Sequence, residues 1–209
     1  MPKRFLALFL GSSIFFLFVF FSYLVHKDLF TQIDFNTTVR LQDNLPRSFD
    51  DEFSLLSDIG SFEVLTVFLV VLLILWRKIR GIFFFFSYVV FHLFELYGKF
   101  FVSHAPPPEF MLRTERVFHF PQFHVRAENS YPSGHAGRTA FLSVIFILLI
   151  WRTKKFSPVI KLFLISLVLA FDAAMFVSRP YLGEHWMSDV IGGVLLGAGL
   201  AVTTYAITK

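Results

Sequence analysis

Long apolar runs constrain this chain more than any other feature of its sequence. Residues 5–25 form a run of 21 residues without one charged side chain. As an α-helix rising 1.5 Å per residue, this run is about 31 Å long, which matches the roughly 30 Å hydrocarbon core of a bilayer. It is longer than the apolar core of an ordinary signal peptide, and no small-x-small cleavage site follows it. The run therefore predicts a retained transmembrane helix.

Further apolar runs predict a bundle of such helices. The chain is 56% hydrophobic and only 16% charged, whereas a soluble domain carries about 25% charged residues. The six predicted spans cover residues 5–25, 62–76, 82–102, 136–151, 159–178 and 188–208. We expect an all-α fold, a six-helix transmembrane bundle that forms a single domain over residues 1–209.

The charges in the short loops predict which way the bundle faces. Basic residues gather in the loops of one side, and an excess of Lys and Arg marks the cytoplasmic side. These residues are Lys3, Arg4, Arg77, Lys78, Arg80, Arg152, Lys154, Lys155 and Lys209. The acid-rich loop 27–60, together with loops 103–135 and 179–187, then lies outside. We expect a multi-pass integral membrane protein with both termini in the cytoplasm.

One cluster of chemical residues follows the fifth span. His185 and Asp189 are four residues apart, so on a helix they share one face. Asp189 can accept a hydrogen bond from one ring nitrogen of His185, which fixes the tautomer and leaves the other nitrogen free to attack. Arg179 offers a planar fork of donors that suits phosphate oxygens. The spacing predicts a nucleophilic histidine beside an anion site.

A second cluster opens the fourth span. Ser133 and Gly134 stand at a helix start, where free N–H groups and the helix dipole favour an anion. His135 follows and can protonate a leaving oxygen as a general acid, while Lys99 adds a point charge from the third span. Taken singly, each residue also fits a purely structural role. A lone histidine is usually a hydrogen-bonded packing residue, Pro-Ser-Gly is a common turn, and a Lys or Arg near a helix end often reaches to the lipid headgroups. All of them, however, fall at the outer ends of helices 3 to 6, which predicts an extracytoplasmic active site there.

These residues resemble the pattern of the type 2 phosphatidic acid phosphatase superfamily. That pattern has three parts: Lys-x6-Arg-Pro, Pro-Ser-Gly-His, and Ser-Arg-x5-His-x3-Asp. The second part is complete at 132–135 and the third at 178–189. The resemblance implies catalysis without a metal or cofactor through a phosphohistidine. In it, the nucleophile is His185, its partner is Asp189, the acid is His135, and the phosphate ligands are Lys99, Ser133, Gly134 and Arg179.

The first part of the pattern is incomplete. Six residues after Lys99 the chain has Pro106 where the family has Arg. The missing donor can be replaced by Arg113, Arg116, Arg126 or Arg138, and the sequence does not choose among them. The alternative for the loop arginines is attraction to anionic lipid headgroups.

Several other polar residues have two interpretations. Glu95 lies one turn before Lys99 and either orients it or forms a charge pair that eases burial. Asp172 lies inside the fifth span. A hydrogen bond that helps to pack two helices is a simpler role for its carboxylate than a contact with Arg179. His104, His119 and His124 lack metal-ligand spacing, and we expect them to face solvent or headgroups. Cysteine is absent, which excludes disulfides, zinc–thiolate sites and a thiol nucleophile.

Three functions fit this sequence. The first is a membrane phosphatase that hydrolyses a lipid phosphate monoester or pyrophosphate, because the site lies at headgroup depth. The second retains the covalent step but passes phosphate to a lipid or sugar alcohol. The third is a non-catalytic phospholipid-binding protein. In each, the partners are a lipid phosphate and the bilayer, and a nucleic acid is not expected.

Overall fold

The computed structural model describes residues 3–76, 79–114 and 128–208, and all regular structure in these ranges is helical. It has eight α-helices there, with one 3-10 turn at Glu109–Met111. The helices are α1 (Lys3–His26), α2 (Thr31–Asn44), α3 (Phe49–Ile59), α4 (Phe62–Trp76), α5 (Gly81–Phe101), α6 (Gly134–Arg152), α7 (Pro158–Tyr181) and α8 (Met187–Thr208). The predicted all-α class is confirmed. Arg77, Lys78 and Lys209 lie outside the described residues.

The predicted membrane spans are helices in the structure. Five helices, α1, α5, α6, α7 and α8, are long and apolar enough to cross a bilayer. The pair α3 and α4 bends by 50° between its two parts and makes a sixth span if it is counted as one. The fourth predicted span extends by two residues at its start, to Gly134, where Ser133 caps the helix. The six-helix bundle is therefore confirmed.

The segment 27–60, expected to be a loop, contains two helices instead. α2 is mostly polar and α3 is amphipathic, so neither has an apolar run that marks a span. α2 packs across the ends of α7 and α8, where Gln42 Nε2 donates hydrogen bonds to the carbonyl oxygens of Met111 and Tyr181 at 2.7 and 2.8 Å. The two helices thus cover the end of the bundle at which the candidate residues meet.

Small residues allow α8 to pack closely against α6. A Cβ added at Gly193 would collide with the carbonyl oxygen of Ser133, and one at Gly197 with that of Gly137. Small residues four apart are typical of such close contacts between membrane helices. α6 and α7 are joined in turn by a 2.5 Å hydrogen bond from Ser143 Oγ to Asp172, which is the packing role expected for that carboxylate.

Substitution of Gly197 by Val should destabilise the bundle, because the new methyl groups meet backbone that has no room to move. We expect a loss of about 1–3 kcal/mol, as for other overpacked sites, measured as a lower unfolding temperature of the purified protein in detergent. The control is Ile191→Val, a change at a lipid-facing position of the same helix that is 42% exposed. Equal unfolding temperatures for the two variants would contradict the close contact.

Candidate active site

The starts of α6 and α8 are joined directly. The backbone N–H of Ser133 donates to the carbonyl oxygen of Asp189 at 3.0 Å. His135 follows on α6 and is half-buried. The charges that act on its ring come from four side chains of the predicted site region: Arg179, Arg138, His185 and Lys99. The structure therefore brings the ends of α5, α6, α7 and α8 together, as the motifs predicted.

His185 and Asp189 form the expected pair. His185 Nδ1 lies 3.3 Å from Asp189 Oδ2, and the same oxygen accepts the backbone N–H of Trp186 at 2.9 Å. Asp189 is completely buried. A buried carboxylate on Nδ1 holds the ring so that Nε2 is the nitrogen available for attack.

Ser133 and Gly134 shape the start of α6. Ser133 Oγ caps the helix and accepts the N–H of Ala136 at 3.5 Å. Because its backbone N–H is bonded to the carbonyl oxygen of Asp189, Ser133 chiefly stabilises the turn. A Cβ at Gly134 would collide with the carboxylate of Glu95 and with the guanidinium of Arg138. Only glycine permits this approach, and the first-turn N–H groups are donors suited to an anion.

Arg179 is fully buried, and side chains of the protein occupy its guanidinium. Nε and Nη2 donate to Ser178 Oγ at 3.1 and 2.8 Å, and Nη1 donates to Ser57 Oγ at 2.8 Å. Nη1 also forms an ion pair with the carboxylate of Glu184. Thr114 Oγ1 donates to the same carboxylate at 2.7 Å. An internal carboxylate thus stands where the family pattern expects a phosphate.

Glu184 remains ionised at this position. Burial alone would raise the pKa of its carboxyl group, but the charge of Arg179 and the hydrogen bond from Thr114 outweigh burial and hold the pKa below its ordinary value. A phosphate that reaches Arg179 must therefore compete with a negative charge already in place.

Among the candidates for the missing donor that the structure describes, Arg138 is the one whose charge acts on the motif residue His135. Its Nη1 lies 3.4 Å from Glu95 Oε2. Arg113 instead stacks on the Tyr181 ring, 5.2 Å from its centroid. Arg116 and Arg126 lie outside the described residues.

Glu95 contacts different partners from those the sequence suggested. His92 Nδ1 lies 2.9 Å from Glu95 Oε2, the oxygen that Arg138 also approaches. Lys99, one turn along α5, contributes a charge near Glu95 and is not among its hydrogen-bond partners in the described part of the chain. Glu95 therefore orients Arg138 rather than Lys99.

Sequence reasoning missed three residues around the site: His104, Asp34 and Glu184. The expectation that His104 faces solvent or headgroups is wrong, because its side chain is 5% exposed and lies 3.6 Å from Asp189. His119 and His124 lie outside the described residues. His104 and Glu184 fall in the unspecified stretches of the family pattern, and Asp34 is distant along the chain, so no spacing signal marks them.

A cavity of about 450 Å³ opens beside these residues. Its lining includes His135, Glu184, Pro106 and Pro107, and acidic Asp58 and Glu109 at its edge. Pro106 therefore gives an apolar wall to the space in which the family pattern expects a guanidinium.

A model of the PAP2 superfamily matches residues 80–209, more than half of the chain. The chain belongs to the PAP2 superfamily. The matched region contains α5 to α8 and every residue predicted for the site. The resemblance stated from the motifs is thereby confirmed.

Two solved structures share this PAP2 fold. One is described as the first transmembrane PAP2 type phosphatidylglycerolphosphate phosphatase from Bacillus subtilis; it has a TM-score of 0.75 and 18% identity, over 94% of each chain. The other is LpxE of Aquifex aeolicus, with a TM-score of 0.61 and 19% identity, over 83% of this chain and 94% of that one. No curated protein sequence matches the chain. At these identities the likeness shows the fold.

Replacement of Glu184 by Gln should strengthen phosphate binding. The amide preserves the shape but removes the negative charge that competes for Arg179, so the Kd for inorganic phosphate should fall by roughly tenfold, as for a partly buried charge contact. The difference in Kd between the variant and the wild type should persist from about pH 6 to 8, because Glu184 stays ionised in the wild type over that range. Calorimetry on the detergent-solubilised protein measures it.

Glu109→Gln is the matched control, since Glu109 lines the same cavity without contacting Arg179. It should leave phosphate affinity near the wild-type value. Weaker phosphate binding by the Glu184 variant than by the wild type would show that Glu184 supports the anion site and does not compete with it.

Proposed function

We propose that this protein is a membrane lipid phosphatase that hydrolyses a lipid phosphate monoester or pyrophosphate. One observation carries the proposal. Near the His185–Asp189 pair lies a second histidine, the half-buried His135, on which the charges of Arg179, Arg138 and Lys99 converge. Phosphoryl transfer spreads negative charge over the equatorial oxygens, and clustered cations stabilise that charge.

The proposed reaction has two steps. The Nε2 atom of His185 attacks phosphorus while the bond to the lipid oxygen breaks, and His135 gives its proton to that oxygen. His135 then takes a proton from water, which attacks the phosphohistidine and releases inorganic phosphate, and both histidines return to their starting state. Asp189 stabilises the positive ring of His185 in both steps. Each step uses a side chain of the protein, and the proposal includes no metal.

The phosphate-holding half is proposed to consist of Lys99, Arg179, Arg138 and the start of α6 at Ser133 and Gly134. Arg138 takes the role of the arginine that Pro106 replaces. The Arg138 guanidinium lies beside Gly134, at the start of α6. This position supports the assignment, because the phosphate is proposed to bind at the same helix start. Conversion of Arg138 to Lys retains the charge but loses the planar fork that binds phosphate oxygens in pairs.

An apolar groove supports a lipid as the substrate. It has a volume of about 380 Å³ and runs between the α3–α4 bend, α6 and α7. Thr139, one helical turn after His135, is among its lining residues, and Leu142, Phe146 and Val168 continue it along the helices. The groove therefore passes within one helical turn of His135 and follows membrane-spanning helices, where an acyl or prenyl chain fits. The basic residues of the opposite loops support an extracytoplasmic position for this site.

Filling the groove should discriminate between substrates by chain length. Val168→Trp should raise KM for a long-chain lipid phosphate by about tenfold, through loss of buried methylene contacts worth roughly 0.8 kcal/mol each, and should leave a short water-soluble phosphate ester unaffected. Leu162→Trp, at a lipid-facing position of α7 that is 68% exposed, is the control. An equal KM increase for both substrates would argue against the groove as the tail site.

His185→Ala should abolish phosphate release from lipid phosphates in reconstituted membranes. A panel of phosphatidic acid, phosphatidylglycerophosphate, polyprenyl phosphates and lipid A type phosphates identifies the substrate. His26→Ala serves as the control, because His26 is an exposed histidine at the end of α1. Release retained by the His185 variant would overturn the phosphohistidine route.

Product analysis with a labelled lipid phosphate separates the remaining functions. Free phosphate identifies a hydrolase, whereas label in a new phospholipid or sugar phosphate identifies a phosphotransferase. Unchanged lipid phosphate together with measurable binding would identify a non-catalytic lipid-binding protein.

A further inference from the structure

A buried histidine lies on the far side of Asp189 from His185. Asp189 Oδ2 contacts His185, whereas His104 Nε2 lies 3.6 Å from Asp189 Oδ1. Oδ1 is buried and has no hydrogen-bond partner among the described residues. The catalytic carboxylate is thus placed between two imidazole rings, one on each oxygen.

A second buried carboxylate holds this histidine in turn. Asp34 of α2 is 2% exposed, and its Oδ2 lies 3.6 Å from His104 Nε2. Ser188 connects the two, because its N–H and Oγ donate to Asp34 at 2.9 and 2.6 Å, and its Oγ lies 3.1 Å from His104 Nε2. The cluster thereby links α2 to the start of α8.

The backbone of His104 is also fixed. Its N–H donates to Asn129 Oδ1 at 2.9 Å, and its carbonyl oxygen accepts the N–H and Oγ of Ser130 at 3.0 and 3.2 Å. The ring therefore has a defined position between the segment that follows α5 and the segment that precedes α6.

The two buried carboxylates favour a protonated His104. Around a neutral ring they would leave two negative charges in a region of low dielectric, which is costly, and a proton on the ring reduces this excess to one. Burial by itself lowers the pKa of His104, but the contact with Asp34 and the charges of Asp189, Asp34 and Asp28 outweigh it and raise the pKa above its ordinary value. The cluster therefore favours the cationic form of His104.

We propose that His104, held between Asp34 and Asp189, is a positioning residue that fixes Asp189 and offsets part of the negative charge with which Asp189 acts on His185. The inference rests on the proposed function, because it concerns the nucleophile of that reaction. His104 does not reach the reacting atoms itself. It acts through Asp189, whose negative charge it shares with His185.

The direction of the effect follows from the charges around His185. Asp189 and Glu184 are negative, while His135 adjoins the ring from α6. Without a positive group at its far oxygen, Asp189 acts on His185 alone and stabilises the positive form of that ring more strongly. A protonated ring cannot attack phosphorus, and activity is therefore lost earlier on the acid side.

His104→Gln tests this in the pH profile of phosphate release. We expect the acid limb of kcat/KM to move to higher pH, and kcat at neutral pH to fall by about tenfold, as for other outer partners of a reactive residue, with KM unchanged. His104→Lys restores a cation and should return the acid limb toward that of the wild type. Asp43→Asn, at an exposed position of α2 outside the cluster, should leave the profile unchanged.

Two results would overturn the proposal in this assay. An acid limb of His104→Gln that superimposes on that of the wild type would show that the cation does not act on His185. Identical pH profiles for the Lys and Gln variants would show that the fall in activity comes from lost packing and not from the lost charge. All variants are compared as monodisperse protein in the same detergent.

A titration without substrate keeps the proposal separate from the proposed function. The chain has seven histidines, so the His104 signal can be assigned by its loss in the Gln variant of ¹⁵N-histidine-labelled protein. Its titration midpoint should lie above that of a histidine in an unstructured peptide and should fall in Asp34→Asn. A midpoint equal to or below that of the peptide histidine refutes the cation. Phosphate release retained by His185→Ala would instead refute the proposed function alone.

Discussion

A single buried carboxylate, that of Asp189, connects the parts of this protein that matter for its chemistry. Its side chain accepts the Trp186 N–H and contacts His185, while its backbone carbonyl accepts the Ser133 N–H from the start of α6. One residue thus fixes His185 and joins two helix starts. Because a buried carboxylate without partners is costly, the helix ends can pack in this way only when those partners are in place. The fold and the site depend on the same contacts.

The bilayer explains why the polar groups are concentrated at one end. Within the hydrocarbon core a helix satisfies its own backbone, and small residues allow close packing without side-chain hydrogen bonds. Gly193 and Gly197 provide that packing between α8 and α6. At the helix ends, by contrast, unpaired N–H groups and charged side chains require partners. A site for an anionic headgroup forms there with little additional structure.

The sequence predicted the parts of the protein that local pattern determines. The spans follow from uninterrupted apolar runs, and the contact of His185 with Asp189 follows from their four-residue spacing on a helix. The helices α2 and α3 escaped prediction because their polar composition resembles that of a loop. Asp34 and Ser188 are 154 residues apart, and their contact exists only once α2 crosses the end of α8. No spacing rule reports such a contact.

The charges around the predicted phosphate position are largely balanced by the protein itself. Arg179 is paired with Glu184, Arg138 approaches Glu95, and Asp189 adjoins His104. This balance allows three buried basic groups to exist before a substrate arrives, since an unpaired buried cation is unfavourable. Under the proposed function, a phosphate group would bring its own negative charge and replace Glu184 at Arg179 without leaving the arginine unpaired. That exchange would select phosphate over a neutral headgroup, because only an anion can compensate for the displaced carboxylate.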